Sequence, residues 1–105
     1  MKGRTYMKVN RSESNGKIIF AIEGRVDTTT SSELQAVLTA DVNNTNEMVI
    51  DCSDLIYISS AGLRVLLSVH KAMNKKSGKF VLTNVSEDIM EIFEITGFSN
   101  ILNIN

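Results

Sequence analysis

Two adjacent serines are the residues of this chain best suited to chemistry. Ser59 and Ser60 follow the apolar stretch 55–58 and precede Ala61 and Gly62. A helix predicted to begin here leaves its first backbone N–H groups without partners and brings its positive dipole end close to the hydroxyls. A phosphate would be well placed at this point. From the local pattern alone, the favoured interpretation is that Ser59 or Ser60 only caps the helix.

The predicted helix orients one of these hydroxyls. On a helical wheel Ser60 falls among Arg64, Lys71 and Asn74, on the arc opposite the apolar residues. The side chain of Ser60 is therefore predicted to face solvent. Arg64, one turn later, either holds a phosphate on Ser60 through an i,i+4 contact or is simply a solvated helix residue.

Three aspartates form a second candidate constellation. Asp27 follows the second predicted strand, and Asp51 and Asp54 lie in and just after the third. Such a set could bind Mg²⁺ through oxygen ligands, as the pocket of a phospho-accepting receiver domain does. Turn roles for Asp27 and Asp54 are the simpler interpretation. A receiver also carries a pair of acids directly after its first strand, and residues 7–13 contain no such pair.

The remaining reactive residue types predict no catalysis. The single histidine, His70, falls inside the apolar arc of its helix, which indicates a buried or boundary position. The single cysteine, Cys52, lies in a strand-like segment and is predicted to be a small buried hydrophobe. No phosphate loop, dinucleotide fingerprint or metal-ligand spacing of Cys and His occurs in the sequence. We predict no enzyme activity, no cofactor and no metal.

Length and charge limit the possible partners. The 105 residues are predicted to form a single domain, 1–105, with 11 Lys plus Arg against 12 Asp plus Glu. This balance gives no surplus positive charge for nucleic acid or anionic lipid. The N-terminal residues carry no apolar segment of a secretory signal, and no apolar run approaches the roughly 20 residues of a membrane helix. A cytoplasmic protein with protein partners is predicted.

The first half of the chain begins with a predicted hairpin. Alternating residues 7–11 and the β-rich segment 17–22 flank Asn15-Gly16, a strong turn signal. Gly24 is predicted to break the second strand. Thr30 and Glu33 have the form of a capping box in front of the first helix.

The second half predicts three further strands and two further helices. Residues 48–52 form a buried strand, and the helix that starts at the two serines runs to about Lys76, closed by Gly78. A strand at 79–83, a helix capped by Ser86 and ended by Gly97, and a last strand at 101–104 follow. The order β-β-α-β-α-β-α-β predicts an α/β fold, a mixed sheet with helices packed against it and right-handed crossovers between its later strands.

These segments together resemble a STAS domain, the fold of bacterial anti-sigma factor antagonists. The resemblance covers nearly the whole chain, and its most specific part is 60–63; residues 24–27 with Thr30, and 49–51 with 54–55, also match. It implies a phosphorylation-switched domain that binds an anti-sigma factor with serine kinase activity. It further implies that this kinase modifies Ser60 and that a PP2C-type phosphatase removes the phosphate.

The resemblance also implies a set of partner-binding residues. Asp27 and its loop would form part of the kinase-facing surface beside Ser60, and the full predicted set is Asp27, Thr30, Ser59, Ser60, Gly62 and Arg64. Ser59 stands where the family often has an acid, which makes it the second choice of acceptor. The alternative function is a constitutive STAS assembly subunit of a transporter or stressosome-like complex, in which the serine only caps the helix.

Overall fold

The computed structural model describes residues 6–105. Residues 1–5, on which the prediction of no secretory signal partly depends, lie outside the described residues. The strands are β1 (Met7–Ser14), β2 (Lys17–Val26), β3 (Glu47–Ile58), β4 (Lys79–Thr83) and β5 (Asn103–Ile104). The helices are α1 (Ser31–Thr39), α2 (Ser60–Lys75) and α3 (Glu87–Thr96), with 3₁₀ turns at Val42–Asn44 and Phe98–Asn100. The predicted order of elements is confirmed.

The five strands form one mixed sheet in the order β1-β2-β3-β4-β5. β1 pairs antiparallel with β2, and every later pair is parallel. Right-handed crossovers between strands that follow one another in space place all three helices on the same face of the sheet. The carboxyl ends of β2, β3 and β4 meet at one end of the sheet, here called the site end, where α2 also begins.

The opening hairpin turns at the predicted residues. Asn15 and Gly16 have φ of 53° and 83°, the left-handed values that a two-residue turn of type I′ requires. Gly24, in contrast, does not break β2, which continues to Val26. Its φ is 94°, and a Cβ at this position would lie 2.5 Å from the backbone oxygen of Tyr6. Glycine is needed there because the preceding chain approaches closely, so the predicted strand break is wrong.

β3 is much longer than the predicted 48–52 and is bulged twice against β2. Its register pairs Ala21 with Asp51, Glu23 with Asp54, Gly24 with Leu55 and Arg25 with Tyr57. Each of the two register shifts therefore gives β3 one residue more than β2. Bulges of this kind bend a strand, increase its twist and redirect its side chains.

The end of α2 differs from the prediction in one residue. The left-handed conformation belongs to Ser77, with φ of 63°, rather than to Gly78. The N–H of Gly78 donates to the oxygen of Met73 at 2.8 Å, and a Cβ on Gly78 would lie 3.1 Å from the oxygen of Asn46. Gly78 thus lies at a close approach of the chain to Asn46, and the left-handed φ of this turn belongs to its neighbour Ser77.

The third helix has the predicted boundaries. The hydroxyl of Ser86 accepts a hydrogen bond from the N–H of Ile89 at 3.3 Å, and Gly97 has φ of 83°. β5 is shorter than the predicted 101–104 because the 3₁₀ turn precedes it.

The core lies between the sheet and the helices, and it contains Cys52. This residue is fully buried, as predicted, and burial raises the pKa of its thiol to about 12. His70 is half-buried on α2, at the predicted boundary, with its ring edge toward Phe80 at 6.2 Å between centroids. The buried thiol of Cys52 therefore does not have the environment of a nucleophile. Within residues 6–105, no helix combines the length and apolar character needed to cross a membrane.

One polar cluster ties β1 to the turn after α1. The guanidinium of Arg11 donates to both carboxylate oxygens of Asp41, at 2.6 and 3.1 Å, and Asn44 donates to the same carboxylate at 2.9 Å. These bonds hold the pKa of Asp41 below its ordinary 3.8, and the bond from Arg11 contributes most. Asp41 is almost fully buried, whereas the Arg11 side chain is 41% exposed and partly screened by water.

Removing this carboxylate is expected to cost stability in a pH-dependent way. Asp41→Asn should lower the free energy of unfolding by about 1 kcal/mol at pH 7. The stability that the Asp41 carboxylate contributes is fully present above about pH 5. It is lost as the pH falls below the ordinary pKa of the carboxyl and through its lowered pKa in the folded state. Urea unfolding at pH 7 and pH 3 measures both effects. An equal difference between the two proteins at both pH values would contradict the assignment.

Candidate functional site

The two serines lie at the site end, and the structure gives them different roles. Ser59 has extended backbone, with φ −87° and ψ 173°, and its hydroxyl accepts a hydrogen bond from the N–H of Gly62 at 3.2 Å. Its own N–H donates to the oxygen of Val26 at 2.8 Å, which joins the end of β3 to the end of β2. Ser59 is therefore the N-cap of α2.

Ser60 is the first residue of α2, and its side chain is exposed as the helical wheel predicts. Among residues 6–105 its hydroxyl has no hydrogen-bond partner, whereas that of Ser59 is engaged in the cap. The first-turn amides of α2 and the positive end of its dipole favour a negative charge at this position. Ser59 therefore caps the helix, and within residues 6–105 the hydroxyl of Ser60 is left without a hydrogen-bond partner.

Gly62 occupies a buried position between α2 and the sheet. A Cβ there would lie 2.7 Å from Cγ1 of Ile58 and 2.7 Å from Cγ1 of Val26. Because both neighbours are themselves in the core, only glycine lets the first turn of α2 lie this close to the strands. Gly62 therefore has a packing role that positions Ser60, and its place in the partner-binding set stays a prediction.

Asp27 organises the loop between β2 and α1. One of its carboxylate oxygens accepts from the hydroxyl of Thr29 at 2.7 Å, from the N–H of Thr29 at 2.9 Å and from the N–H of Thr30 at 3.0 Å. These hydrogen bonds hold the pKa of Asp27 below its usual range, and the bond from the Thr29 hydroxyl contributes most. Asp27 is therefore ionised at neutral pH, in a loop of defined shape.

The predicted capping box at Thr30 and Glu33 is wrong. Thr30 precedes α1 but its side chain makes no cap hydrogen bond. Its hydroxyl instead donates to the oxygen of Arg25 at 3.0 Å and accepts from the N–H of Asp27 at 2.9 Å. Thr30 thus ties the loop back to β2.

Arg64 is exposed on α2, one turn after Ser60. It lines a shallow cleft of about 300 Å³ together with Leu67, Ser68 and Lys71. The guanidinium forms no ion pair with any residue in the range 6–105. Arg64 follows Ser60 by four residues on the same helix, so the two side chains share one face of α2.

The three aspartates of the receiver hypothesis do not converge. Asp51 accepts from the side-chain amide of Asn84 and from the N–H of Ser53, both at 3.0 Å, and the first of these bonds contributes most to lowering its pKa. Asp27 is engaged in its own loop, and Asp54 is exposed. Over residues 6–105 no group of three or more His, Cys, Asp or Glu side chains could hold a metal ion. The geometry gives a phospho-aspartate pocket no support.

Sequence reasoning missed an apolar surface at the same end of the sheet. Tyr6, Ile56 and Tyr57 are exposed there, and the guanidinium of Arg25 lies 4.5 Å from the centre of the Tyr57 ring. The apolar stretch 55–58 was interpreted as leading directly into α2. Residues 55–58 are continuously apolar, so their pattern carries no signal of which of them are exposed.

Substitution of the N-cap Ser59 tests whether this serine stabilises the fold, separately from any modification of Ser60. Ser59→Ala is expected to lower the free energy of unfolding by about 1 kcal/mol because the N–H of Gly62 loses its acceptor. Chemical unfolding measures this loss, and Ser60→Ala is the matched control because the Ser60 hydroxyl makes no such bond. A larger loss for Ser60→Ala than for Ser59→Ala would contradict the assignment of the cap.

Comparison with known proteins gives consistent matches. The family model of the STAS domain matches residues 6–105. The chain is 38% identical over 96 residues to BtrV of Bordetella bronchiseptica, which bears the name of an anti-sigma factor antagonist, with 90% of this chain and 83% of BtrV covered.

Solved structures match the fold. An anti-sigma factor antagonist from Mycobacterium paratuberculosis superposes with a TM-score of 0.85 at 20% identity, over 94% of this chain and 85% of that one. The Bacillus cell fate determinant SpoIIAA, in its phosphorylated form, superposes with a TM-score of 0.73 at 13% identity, over 93% and 91% of the two chains. The predicted α/β mixed sheet is confirmed by these likenesses.

Proposed function

The chain belongs to the STAS domain family, among the anti-sigma factor antagonists, and on this premise we propose that it is switched by phosphorylation of Ser60. With Ser60 unmodified, the domain binds and sequesters an anti-sigma factor that is also a serine kinase. Phosphate transfer to Ser60 ends the complex, and a PP2C-type phosphatase restores the binding form. The chain supplies the acceptor hydroxyl, while the partner supplies ATP and catalysis in a shared cytoplasm.

The observation that carries this proposal is the free, exposed hydroxyl of Ser60 at the start of α2. The neighbouring hydroxyl of Ser59 is occupied by the N–H of Gly62 and would have to leave that bond to accept a phosphate. Of the two serines at the site end, a kinase therefore meets one whose hydroxyl is available. The name of SpoIIAA, a structural relative with a phosphorylated form, is in keeping with this assignment.

The switch follows from charge and desolvation. A phosphoserine carries about −1.5 to −2 charges at pH 7. Within the domain this charge is tolerated by the amides of the first turn of α2 and by Arg64. At an interface it must be desolvated against the partner, and a penalty of about 3 kcal/mol would weaken the complex roughly a hundredfold.

The loop around Asp27 would provide the neighbouring part of the docking surface. Its hydrogen bonds to Thr29 and Thr30 preorganise the loop, so that little conformational freedom is lost on binding. The ionised carboxylate of Asp27 would then meet a hydrogen-bond donor or cation of the partner. Arg64 would mark the other side of Ser60.

Mapping the modified residue tests the proposal. The purified protein would be incubated with ATP and each ATPase-fold serine kinase encoded in the same genome, and the phosphopeptide identified by mass spectrometry. We expect one kinase to place phosphate on Ser60, with none on Ser60→Ala and undiminished transfer to Ser59→Ala. Absence of phosphate from both serines with every kinase would refute the switch.

A further inference from the structure

Three exposed apolar side chains lie together at the site end. Tyr6 is 49% exposed, Ile56 61% and Tyr57 36%. Tyr6 and Ile56 line the same cavity, and the N–H of Arg25, whose guanidinium covers the Tyr57 ring, donates to the backbone oxygen of Tyr6 at 2.9 Å. We call Tyr6, Arg25, Ile56 and Tyr57 the strand-end surface. Exposed apolar groups gathered in this way mark an interaction site, and tyrosine and arginine are enriched at such sites.

The second bulge of β3 builds this surface. In a regular strand one of two successive side chains faces the core. The extra residue between Leu55 and Tyr57 lets Ile56 and Tyr57 both face outward, while Leu55 and Ile58 on either side stay buried. The backbone is thus shaped to expose two large apolar side chains immediately before α2.

The cavity beside the strand-end surface has a defined chemistry. It is an open groove of about 400 Å³ in which Tyr6, Ile56, Leu55 and Ser53 contribute to the lining. Glu23 and Asp54, paired across β2 and β3, bring two carboxylates to it. In the part of the chain covered by residues 6–105 neither carboxylate has an ion-pair partner. A mostly polar groove edged by Tyr6 and Ile56, with two acidic residues in its lining, fits a lysine or arginine side chain, whose stem is apolar and whose end is charged.

The strand-end surface is continuous with Ser60. Tyr57 precedes Ser60 by three residues, which limits the distance between their Cα atoms to about 10 Å. The bond from Ser59 to Val26 holds this segment against the end of β2, next to the pair of Arg25 and Tyr57. A partner that reaches the Ser60 hydroxyl therefore has the strand-end surface within its footprint.

We propose that the strand-end surface is the apolar anchor for the kinase that modifies Ser60, and that the adjoining cavity receives a lysine or arginine side chain of that kinase. This inference rests on the proposed function and adds the chemistry by which the partner is recognised. The guanidinium of Arg25 lies over the Tyr57 ring in a cation–π contact and so forms part of the strand-end surface.

Ile56→Asn tests the apolar anchor, with Ile95→Asn as its matched control. Ile95 is 78% exposed on α3, so both substitutions replace an exposed isoleucine by the same neutral residue. Binding of the kinase that phosphorylates Ser60, measured by calorimetry, should weaken about tenfold or more with Ile56→Asn and stay unchanged with Ile95→Asn. Thermal unfolding should show both variants folded.

Glu23→Gln combined with Asp54→Asn tests whether the kinase places a basic side chain in the cavity. We expect weaker kinase binding and a smaller dependence of the affinity on salt, because a charge-assisted contact is lost. The matched control, Glu87→Gln with Glu91→Gln on the exposed face of α3, should leave both quantities unchanged.

The outcomes distinguish this inference from the proposed function. Wild-type affinity of Ile56→Asn, with Ser60 still phosphorylated, would overturn the anchor and leave the switch intact. Unchanged affinity and salt dependence of the Glu23 and Asp54 double variant would overturn the basic side chain. A wild-type protein that no kinase of the genome binds or modifies would overturn the function and the inference together.

Discussion

Ser60→Asp is expected to weaken binding of the kinase about thirtyfold without destabilising the fold. The substitution places one negative charge at the first position of α2, where the helix dipole favours it, so the free energy of unfolding should not fall. The loss of affinity arises at the interface, where the carboxylate must be desolvated. It should be smaller than the loss caused by phosphate, which carries nearly twice the charge. Calorimetric titration of the kinase measures it.

Two variants control this result. Ser12→Asp adds the same charge at an exposed position on β1, toward the other end of the sheet, and should bind as the wild type does. Ser60→Ala should also bind normally, because the unmodified hydroxyl is not required for docking, yet it should accept no phosphate. Binding that is indifferent to Ser60→Asp would favour the alternative, a constitutive assembly subunit of a transporter or stressosome-like complex.

Gly62→Val is expected to lower the free energy of unfolding by about 3 kcal/mol. A Cβ at this position would already lie 2.7 Å from side-chain atoms of Ile58 and Val26, and the two further methyl groups of valine have no room. Relief requires α2 to move away from the sheet, which would also displace Ser60. Urea unfolding measures the loss of stability, and phosphate transfer by the kinase measures the displacement.

The control for this prediction is Ala72→Val, which places the same side chain at an exposed position of α2. At this position only the lower helix propensity of valine should act, and it should lower the free energy of unfolding by about 0.5 kcal/mol. Equal losses for the two variants would show that Gly62 is not held by packing, and the account of how α2 is positioned would fail.

Local features of the fold were predictable because their causes are short-range. Asn15-Gly16 specifies its turn through the φ values of two residues, and Ser86 and Gly97 bound α3 through bonds within one helical turn. The alternation of strands and helices then leads to the mixed sheet through the handedness of crossovers. Each step depends on residues that are neighbours in sequence.

Features determined by distant contacts were missed. Gly24 was predicted to end β2, but glycine is needed there because the backbone of Tyr6 approaches closely. Gly78 lies close to the backbone of Asn46, which belongs to another loop. Thr30 has the sequence context of an N-cap, yet its hydroxyl donates a hydrogen bond to the backbone oxygen of Arg25. No local pattern reports these neighbours, since they depend on register and on which strands lie side by side.

The candidate site divides in the same way. The exposure of Ser60 followed from the periodicity of α2, whereas the choice between two adjacent serines required the bond from Gly62 to Ser59. The strand-end surface depends on a bulge of β3 against β2, and bulges have no clear signature in an apolar stretch. Sequence indicated where the hydroxyl lies but not what surrounds it.

The central claim is that a phosphate on Ser60 controls binding. Its most direct measurement compares the affinity of the kinase, in the same titration, for the protein before and after stoichiometric phosphorylation of Ser60. We predict that the phosphorylated protein binds roughly a hundredfold more weakly and that treatment with a PP2C-type phosphatase restores the original affinity. Equal affinity of the two forms would contradict the account.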